Sequence, residues 1–341
     1  MVILTVEKGI FSARLRVDSG GFAVIFRFYG CFFIRLCSKP TFSHFSESEE
    51  PTKFLLIFLI PYGKMVLKQQ KERTMQTIQI WEGHVPGEIG EDGAPVLKYF
   101  PAENKITDAT VVIFAGGGYT HRARHEGEAY AELINSWGMD AFVMDYRVNP
   151  ILFPFPLLDA RRAIRYIRAN AEALRINEKK IAAMGSSAGG HLAALVSTYR
   201  DTILGEGQDC IDNEDAIPNM QILAYPVLDI DGHRSSFEML LGDNIDRHEE
   251  LTPRLLANEF TPPAFIWHTS TDDIVDVNNS LRYAQTLHRL GIQMEMHIYP
   301  TGTHGTGLAN VNEKPERVVP YLQRWPEELK RYLALYGYLP Q

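Results

Sequence analysis

Cysteine is scarce in this chain. Cys31, Cys37 and Cys210 are the only three among 341 residues, too few and too scattered for a disulfide framework or a zinc cluster, so neither a metal nor another cofactor is expected. Long apolar runs are missing as well. Phe54–Ile60 is seven residues long and the stretch from Phe22 to Leu36 is broken by Arg27 and Arg35, whereas crossing a bilayer takes about 20 apolar residues; no membrane partner is expected. There is no surplus of basic charge. With 34 Lys and Arg against 42 Asp and Glu, the formal charge is -8, which excludes a nucleic-acid partner held through clustered cations. The start has no charged segment leading into a compact apolar core with a small-residue cleavage site, so cytoplasmic residence is the expectation. No internal repeat and no low-complexity tract occurs, and oligomeric state has no signature.

What is present divides at about residue 64. Residues 1–64 carry eight basic and five acidic residues, a net positive balance against the net negative remainder, and their apolar positions follow no steady period. The expectation is a poorly patterned, disordered extension that an upstream start has added, with the functional chain beginning at Met65 or Met75; a membrane-associating arm is the competing reading. Residues 65–341 should form one catalytic domain. Here strands and helices alternate, the pattern of an α/β protein whose mostly parallel central sheet has helices on both faces. The expected elements include an edge strand at Ile78–Trp81, a buried strand at Thr110–Ala115, a helix at Glu126–Trp137 stopped by Gly138, a strand at Ala141–Met144, a helix at Leu157–Leu174 and a strand at Gln221–Tyr225. The polar stretch from Tyr199 to Asn219 reads as a surface loop, and Arg234 to Pro263 as a small cap or pocket wall.

Gly185-Ser186-Ser187-Ala188-Gly189 is the most informative stretch. It follows the apolar run Ile181–Met184 and precedes the helical pattern beginning at His191, so a serine stands at the apex of a strand–turn–helix. Small residues two positions either side permit a strained turn that lifts Ser187 off the sheet. A serine hydroxyl is a weak nucleophile and needs an adjacent base and donors for an oxyanion. Downstream, the buried-strand pattern Pro263–His268 runs into Asp272 and Asp273, and the alternating Met294–Tyr299 empties into Thr301-Gly302-Thr303-His304-Gly305. His304 is the candidate general base and Asp272 the residue that orients it, with Asp273 the alternative. His121, His125, His191, His268 and His297 lie on or beside helices and strands, where packing is the commoner role. Upstream, Thr110–Ala115 ends in Gly116-Gly117-Gly118, a turn whose backbone can approach a substrate closely. Gly117, Gly118 and Ala188 are the candidate oxyanion donors, and Tyr119 the candidate substrate-binding residue of the pocket wall. Neither a G-x-G-x-x-G register nor a following Lys-Ser/Thr supports nucleotide binding at those glycines.

Val111 to Arg147, with Gly116-Gly117-Gly118-Tyr119, His125-Glu126-Gly127-Glu128 and Asp145-Tyr146-Arg147, resembles the α/β-hydrolases related to carbohydrate acetylesterases, the acetyl-xylan esterase-like proteins. So do the segments Asp159–Arg168, Gly185–Ala193, Trp267-His268-Thr269, Asn279-Ser280-Leu281 and His304–Ala309, in the same order, from about Ile78 to the C-terminus. The resemblance implies an α/β-hydrolase fold with nucleophile Ser187, acid Asp272 and histidine His304. Two positions depart from the pattern: Ala115 stands where related esterases often have histidine, and Asp276 where proline is common. The residues point to a serine hydrolase of short-chain carboxylic esters, working through an acyl-enzyme on a small-molecule or oligosaccharide ester. Acetyl groups on sugars or xylo-oligosaccharides are what the resemblance adds. A serine peptidase or amide hydrolase is the alternative, and a non-catalytic binding protein on the same scaffold a third.

Several conspicuous side chains read as structural. Arg161, Arg162, Arg165 and Arg168 have the spacing of a solvated helix face. Arg147 is expected to pair with an acid such as Asp159. Glu126 is expected to compensate a helix dipole.

Overall fold

A computed structural model of the chain describes residues 75–309 and 319–341 apart from Glu82 and Asp92, together with the backbone of six strands between residues 2 and 69. The chain divides into two units, Met1–Glu72 and Arg73–Gln341. In the first, strands Val2–Glu7, Ile10–Leu15, Phe22–Phe28 and Cys31–Cys37 pair antiparallel in that order, and Phe54–Leu55 pairs with Lys68–Gln69. The side chains of this unit, and with them the expectation of an unpatterned extension over residues 1–64, lie outside the described residues, as does the alternative start at Met65.

The second unit is built on eight strands: β1 (Gln76–Gln79), β2 (Val96–Phe100), β3 (Thr110–Phe114), β4 (Asp140–Asp145), β5 (Ile181–Ser186), β6 (Met220–Ala224), β7 (Ala264–Thr269) and β8 (Met294–Tyr299). They lie in the order β8-β7-β6-β5-β3-β4-β2-β1. Only β2 runs against its neighbours. Every residue of β3, β5, β6 and β7 is buried, which is why these strands read as unbroken apolar runs rather than alternating ones: a parallel sheet is covered on both faces. β8, at one edge, is mostly half-buried and keeps an alternating pattern.

The helices α1 (Glu128–Ser136), α2 (Phe155–Ala169), α3 (Ser187–Thr198), α4 (Arg234–Leu241), α5 (Asn278–Arg289) and α6 (Trp325–Leu335) cover the sheet. Tyr130 and Ile134 of α1 share one hydrophobic cluster with Trp325, Leu329 and Leu333 of α6. Leu157 and Ile164 of α2, Leu192 and Leu195 of α3, Phe237 of α4 and Leu287 of α5 belong to the other. Two apolar cores on two faces are the expected doubly covered sheet. Among the described residues no helix is long and apolar enough to cross a membrane.

The boundaries differ from expectation for local reasons. The first strand of the body is Gln76–Gln79 rather than Ile78–Trp81, and Val96–Phe100 is a strand with no counterpart among the expected elements. The expected helix to Leu174 stops at Ala169 and resumes as the single turn Ala171–Leu174, with Asn170 breaking the helical dihedrals. Gly127 likewise separates a 3-10 turn, Arg124–Glu126, from α1.

The arginines of α2 are not a solvated face. The segment expected as a surface loop brings its acids onto them: Arg162 meets Asp209 at 2.5 Å and Asp212 at 3.0 Å, and Arg165 meets Glu206 at 2.6 Å. The Arg162 guanidinium also lies 4.3 Å over the Trp81 ring, and the residue is wholly buried. Full burial of guanidinium is tolerable because each of its three nitrogens finds a carboxylate or carbonyl. Arg147 and Asp159 form the expected pair, with Nη2 to Oδ1 at 2.7 Å.

Candidate active site

Ser187 sits where β5 becomes α3, with φ at +53°, a left-handed conformation that a non-glycine residue adopts only when its surroundings impose it. What imposes it is the crossing of strand and helix. A methyl group on Gly185 would stand 2.0 Å from the Gly189 carbonyl oxygen, and one on Gly189 would stand 2.1 Å from the Phe114 carbonyl oxygen. Any side chain at either position would push the helix away from the sheet. The small residues flanking the serine are therefore a packing requirement, and the tight crossing leaves Ser187 at the apex.

His304 lies on the segment after β8, and its Nε2 is 2.7 Å from Ser187 Oγ. Its Nδ1 is 2.8 Å from Asp272 Oδ2. A carboxylate only accepts, so Nδ1 carries the proton and the Nε2 lone pair faces the serine hydroxyl. Asp273 does not reach the ring; its Oδ1 accepts the backbone N–H of His304 at 3.3 Å. The structure thus brings Asp272 rather than Asp273 to the imidazole. Burial pushes the Asp272 carboxyl upward, but hydrogen bonds from His268 and His304 and from the Val275 N–H outweigh it, and the group is held well below the usual carboxylate range.

The glycine turn abuts the serine: a methyl on Gly116 would lie 3.1 Å from Ser187 Cβ. Gly117 and Gly118 follow with φ at +126° and +62°, and Thr120 N–H closes the turn on the Gly117 carbonyl at 3.0 Å. The Gly116 N–H is taken by Glu126 Oε2 at 3.1 Å. Ala188 belongs to the first turn of α3, where an N–H has no acceptor within the helix.

Two residues occupy places other than those expected. Tyr119 is buried at 1 % exposure, its hydroxyl 2.6 Å from His191 Nδ1, so its side chain anchors the glycine turn in the core instead of forming a pocket wall. Glu126 is buried at 2 % exposure and acts on the turn rather than on a helix dipole. Its Oε1 accepts the Tyr225 hydroxyl at 2.6 Å; that hydroxyl accepts the Gly307 N–H at 3.0 Å, and the Tyr225 ring stands edge-on to His304 with centroids 5.1 Å apart. His125 adds a second tie, with Nε2 donating to the Gly305 carbonyl at 3.0 Å. The glycine turn and the histidine segment are thus joined through Glu126 and Tyr225.

Sequence reasoning missed Tyr225 because a tyrosine ending a buried strand carries no functional signature. His233, ahead of α4, bonds Ser236 Oγ through its Nδ1 at 2.9 Å; burial and then His304 lower its pKa, while Asp272 opposes them. Among the described residues one metal-competent group gathers, Glu295, His297 and Glu328. Glu328 is already paired with Arg331 at 2.9 Å and His297 with Glu295 at 2.7 Å, and none of the three bonds to Ser187, His304 or Asp272.

Comparison with known proteins gives concordant matches. The model of the BD-FAE family matches residues 98–287, a span that holds the glycine turn, Ser187 and Asp272 and ends before His304. An acetylxylan esterase of Xylanibacter ruminicola is 29% identical over 247 residues, 70% of this chain and 49% of that protein. Endo-1,4-beta-xylanase B of Butyrivibrio fibrisolvens is 36% identical over 209 residues, 59% of this chain and 33% of that protein. The chain therefore spans between a third and a half of the length of these two relatives. The crystal structure of an acetyl ester-xyloside bifunctional hydrolase from Caldicellulosiruptor lactoaceticus superposes with a TM-score of 0.69 at 35% identity, covering 77% of this chain and 97% of that one.

Proposed function

Since the chain belongs to the BD-FAE family of α/β-hydrolases, we propose that it hydrolyses short-chain carboxylic esters, acetyl groups on sugars or xylo-oligosaccharides being the preferred substrate, with Ser187 as nucleophile. The observation that carries this reading is the hydrogen-bonded series from Ser187 Oγ through His304 to Asp272, at 2.7 and 2.8 Å, beneath the Gly117–Gly118 turn. The acetylated-carbohydrate part draws its support from the relatives named for acetylxylan and acetyl-xyloside esters.

In this reading Ser187 Oγ attacks the ester carbonyl carbon while its proton passes to His304 Nε2. The carbonyl oxygen becomes an oxyanion, and the N–H groups of Gly117, Gly118 and Ala188 stabilise it; one such donor is typically worth about 10²–10³-fold in rate. His304 returns the proton to the departing alcohol and leaves an acetyl-Ser187 ester. A water then gives its proton to His304 and attacks the acyl carbon, releasing the carboxylic acid and restoring the hydroxyl. Asp272 stays ionised throughout and stabilises the imidazolium without taking its proton.

The test is turnover of p-nitrophenyl acetate, longer-chain esters, acetylated xylo-oligosaccharides and aminoacyl anilides by the whole chain beside Ser187→Ala. Short esters and acetylated oligosaccharides should be cleaved by the wild type alone. Cleavage confined to anilides would move the assignment to an amide hydrolase, and activity surviving in Ser187→Ala would remove the serine from the mechanism.

A further inference from the structure

Asp272 is flanked by a second histidine. His268, the fifth residue of β7, is wholly buried; its Nε2 lies 2.9 Å from the Val275 carbonyl oxygen and 3.3 Å from Asp272 Oδ2, and its Nδ1 lies 2.8 Å from Ser280 Oγ of α5. The carbonyl of Val275 can only accept, so the proton of a neutral ring sits on Nε2, and Nδ1 accepts the Ser280 hydroxyl. The Nε2–H is then shared between two acceptors, one of them the carboxylate that holds His304.

The surroundings of Asp272 make this arrangement consequential. Its Oδ1 accepts the N–H groups of Ile274 at 3.0 Å and Val275 at 2.9 Å, and its Oδ2 accepts from His304 and His268. Four donors meet the roughly four lone-pair directions a carboxylate offers, and the side chain is 1 % exposed. Such a group cannot rotate without losing bonds, and so little exposed a carboxylate has little access to solvent in exchange. The two backbone donors hold one oxygen; on the other oxygen, His304 and His268 are the side chains that bond it among the described residues.

Resting on the reading of Ser187, His304 and Asp272 given above, we infer that His268 is a positioning residue of the hydrolase: as the Nε2–H tautomer, set by Ser280 and Val275, it pins Asp272 Oδ2 in line with His304 Nδ1. It touches no substrate. Its effect is on how often the imidazole stands ready to take the serine proton, so it should act on kcat and leave KM alone.

The experiment compares the wild type with His268→Phe, which keeps an aromatic ring and removes the donor, and His268→Gln, whose amide N–H can replace Nε2–H. Hydrolysis of p-nitrophenyl acetate and thermal unfolding are measured for each, beside Ser187→Ala. His268→Phe should lose about 10- to 100-fold in kcat, the size of one hydrogen bond to a charged group, with KM within about twofold. His268→Gln should recover most of the loss. Ser280→Ala, which leaves the ring and frees its Nδ1, should lower kcat by a few-fold and serves if His268→Phe does not fold. Histidine ¹⁵N shifts should report a neutral Nε2–H tautomer for His268. A normally folded His268→Phe with wild-type kcat, a His268→Gln no better than His268→Phe, or the Nδ1–H tautomer would overturn the inference. Turnover that survives in Ser187→Ala would instead show that the underlying serine mechanism has failed.

Discussion

Around α2, Arg162 and Arg165 are buried against Asp209, Asp212 and Glu206, and each charge meets its opposite. Around Ser187, Glu126, Tyr225, His268 and Asp272 are buried too, yet their bonds converge on groups left poised: a serine hydroxyl facing an imidazole lone pair, and an Ala188 N–H that its helix does not use. Both clusters are polar and largely withdrawn from solvent. The first closes its charges on one another and contributes cohesion, whereas the second holds a few donors and acceptors open toward one point. Burial of polar groups alone therefore does not mark an active site; the direction of their remaining hydrogen-bonding capacity does.

This contrast can be broken from either side. The largest effect is expected for Ser187→Ala, a loss of at least about 10⁴-fold in kcat with the unfolding temperature nearly unchanged; ester turnover and a thermal melt on the same sample check both halves. Arg162→Met should do the reverse, destabilising by about 2–4 kcal/mol because the buried Asp212 keeps only the longer contact to Arg165 and the partly exposed Asp209 loses its partner. Urea unfolding would show it, and the folded fraction should keep its kcat.

His191 sharpens the comparison from the pH side. Burial lowers its pKa to about 4, with the hydrogen bond to the Leu251 carbonyl only partly opposing. The unfolded chain binds this proton below about pH 6.5 and the folded protein does not until about pH 4, so stability from the neutral ring is full above pH 6.5 and declines as pH falls across that window. The loss is on the order of 3 kcal/mol, and a melt series from pH 7 to 4 should be flatter in His191→Gln. The smallest effect is expected for Glu126→Gln, which sets an amide N–H against either the Gly116 N–H or the Tyr225 hydroxyl. A drop in kcat of about tenfold is expected from one compromised hydrogen bond, and a steady-state assay with an unfolding control separates it from misfolding.

Much of the fold was legible because parallel strands buried on both faces have to be continuous apolar runs, and helices packed on one side have to repeat at 3.6 residues. Ser187, His304 and the glycine turn were legible for a local reason: each sits in a small-residue break just past a strand. The α2 arginines misled because their spacing records which side of the helix they share and not what covers that side. The acids at Glu206, Asp209 and Asp212 held the answer, but in a segment read as a solvated loop. Val96–Phe100 escaped because Lys98 and the half-buried Tyr99 break the apolar run of an inner strand. The position of Tyr119 beside the glycines suggests a pocket wall, while its side chain goes to His191 on another element.

By itself the sequence determined the alternating α/β body, the strained turn at Ser187 and the chain order of serine, acid and histidine, because periodicity and small-residue breaks act over a few residues. Only tertiary structure decided that Asp272 and not Asp273 faces the imidazole, that Glu126 and Tyr225 tie the glycine turn to the histidine segment, and that Arg161, Arg162 and Arg165 have acids packed over them. Those outcomes depend on where side chains distant in sequence meet, and a hydrogen bond has no length until the fold supplies both ends.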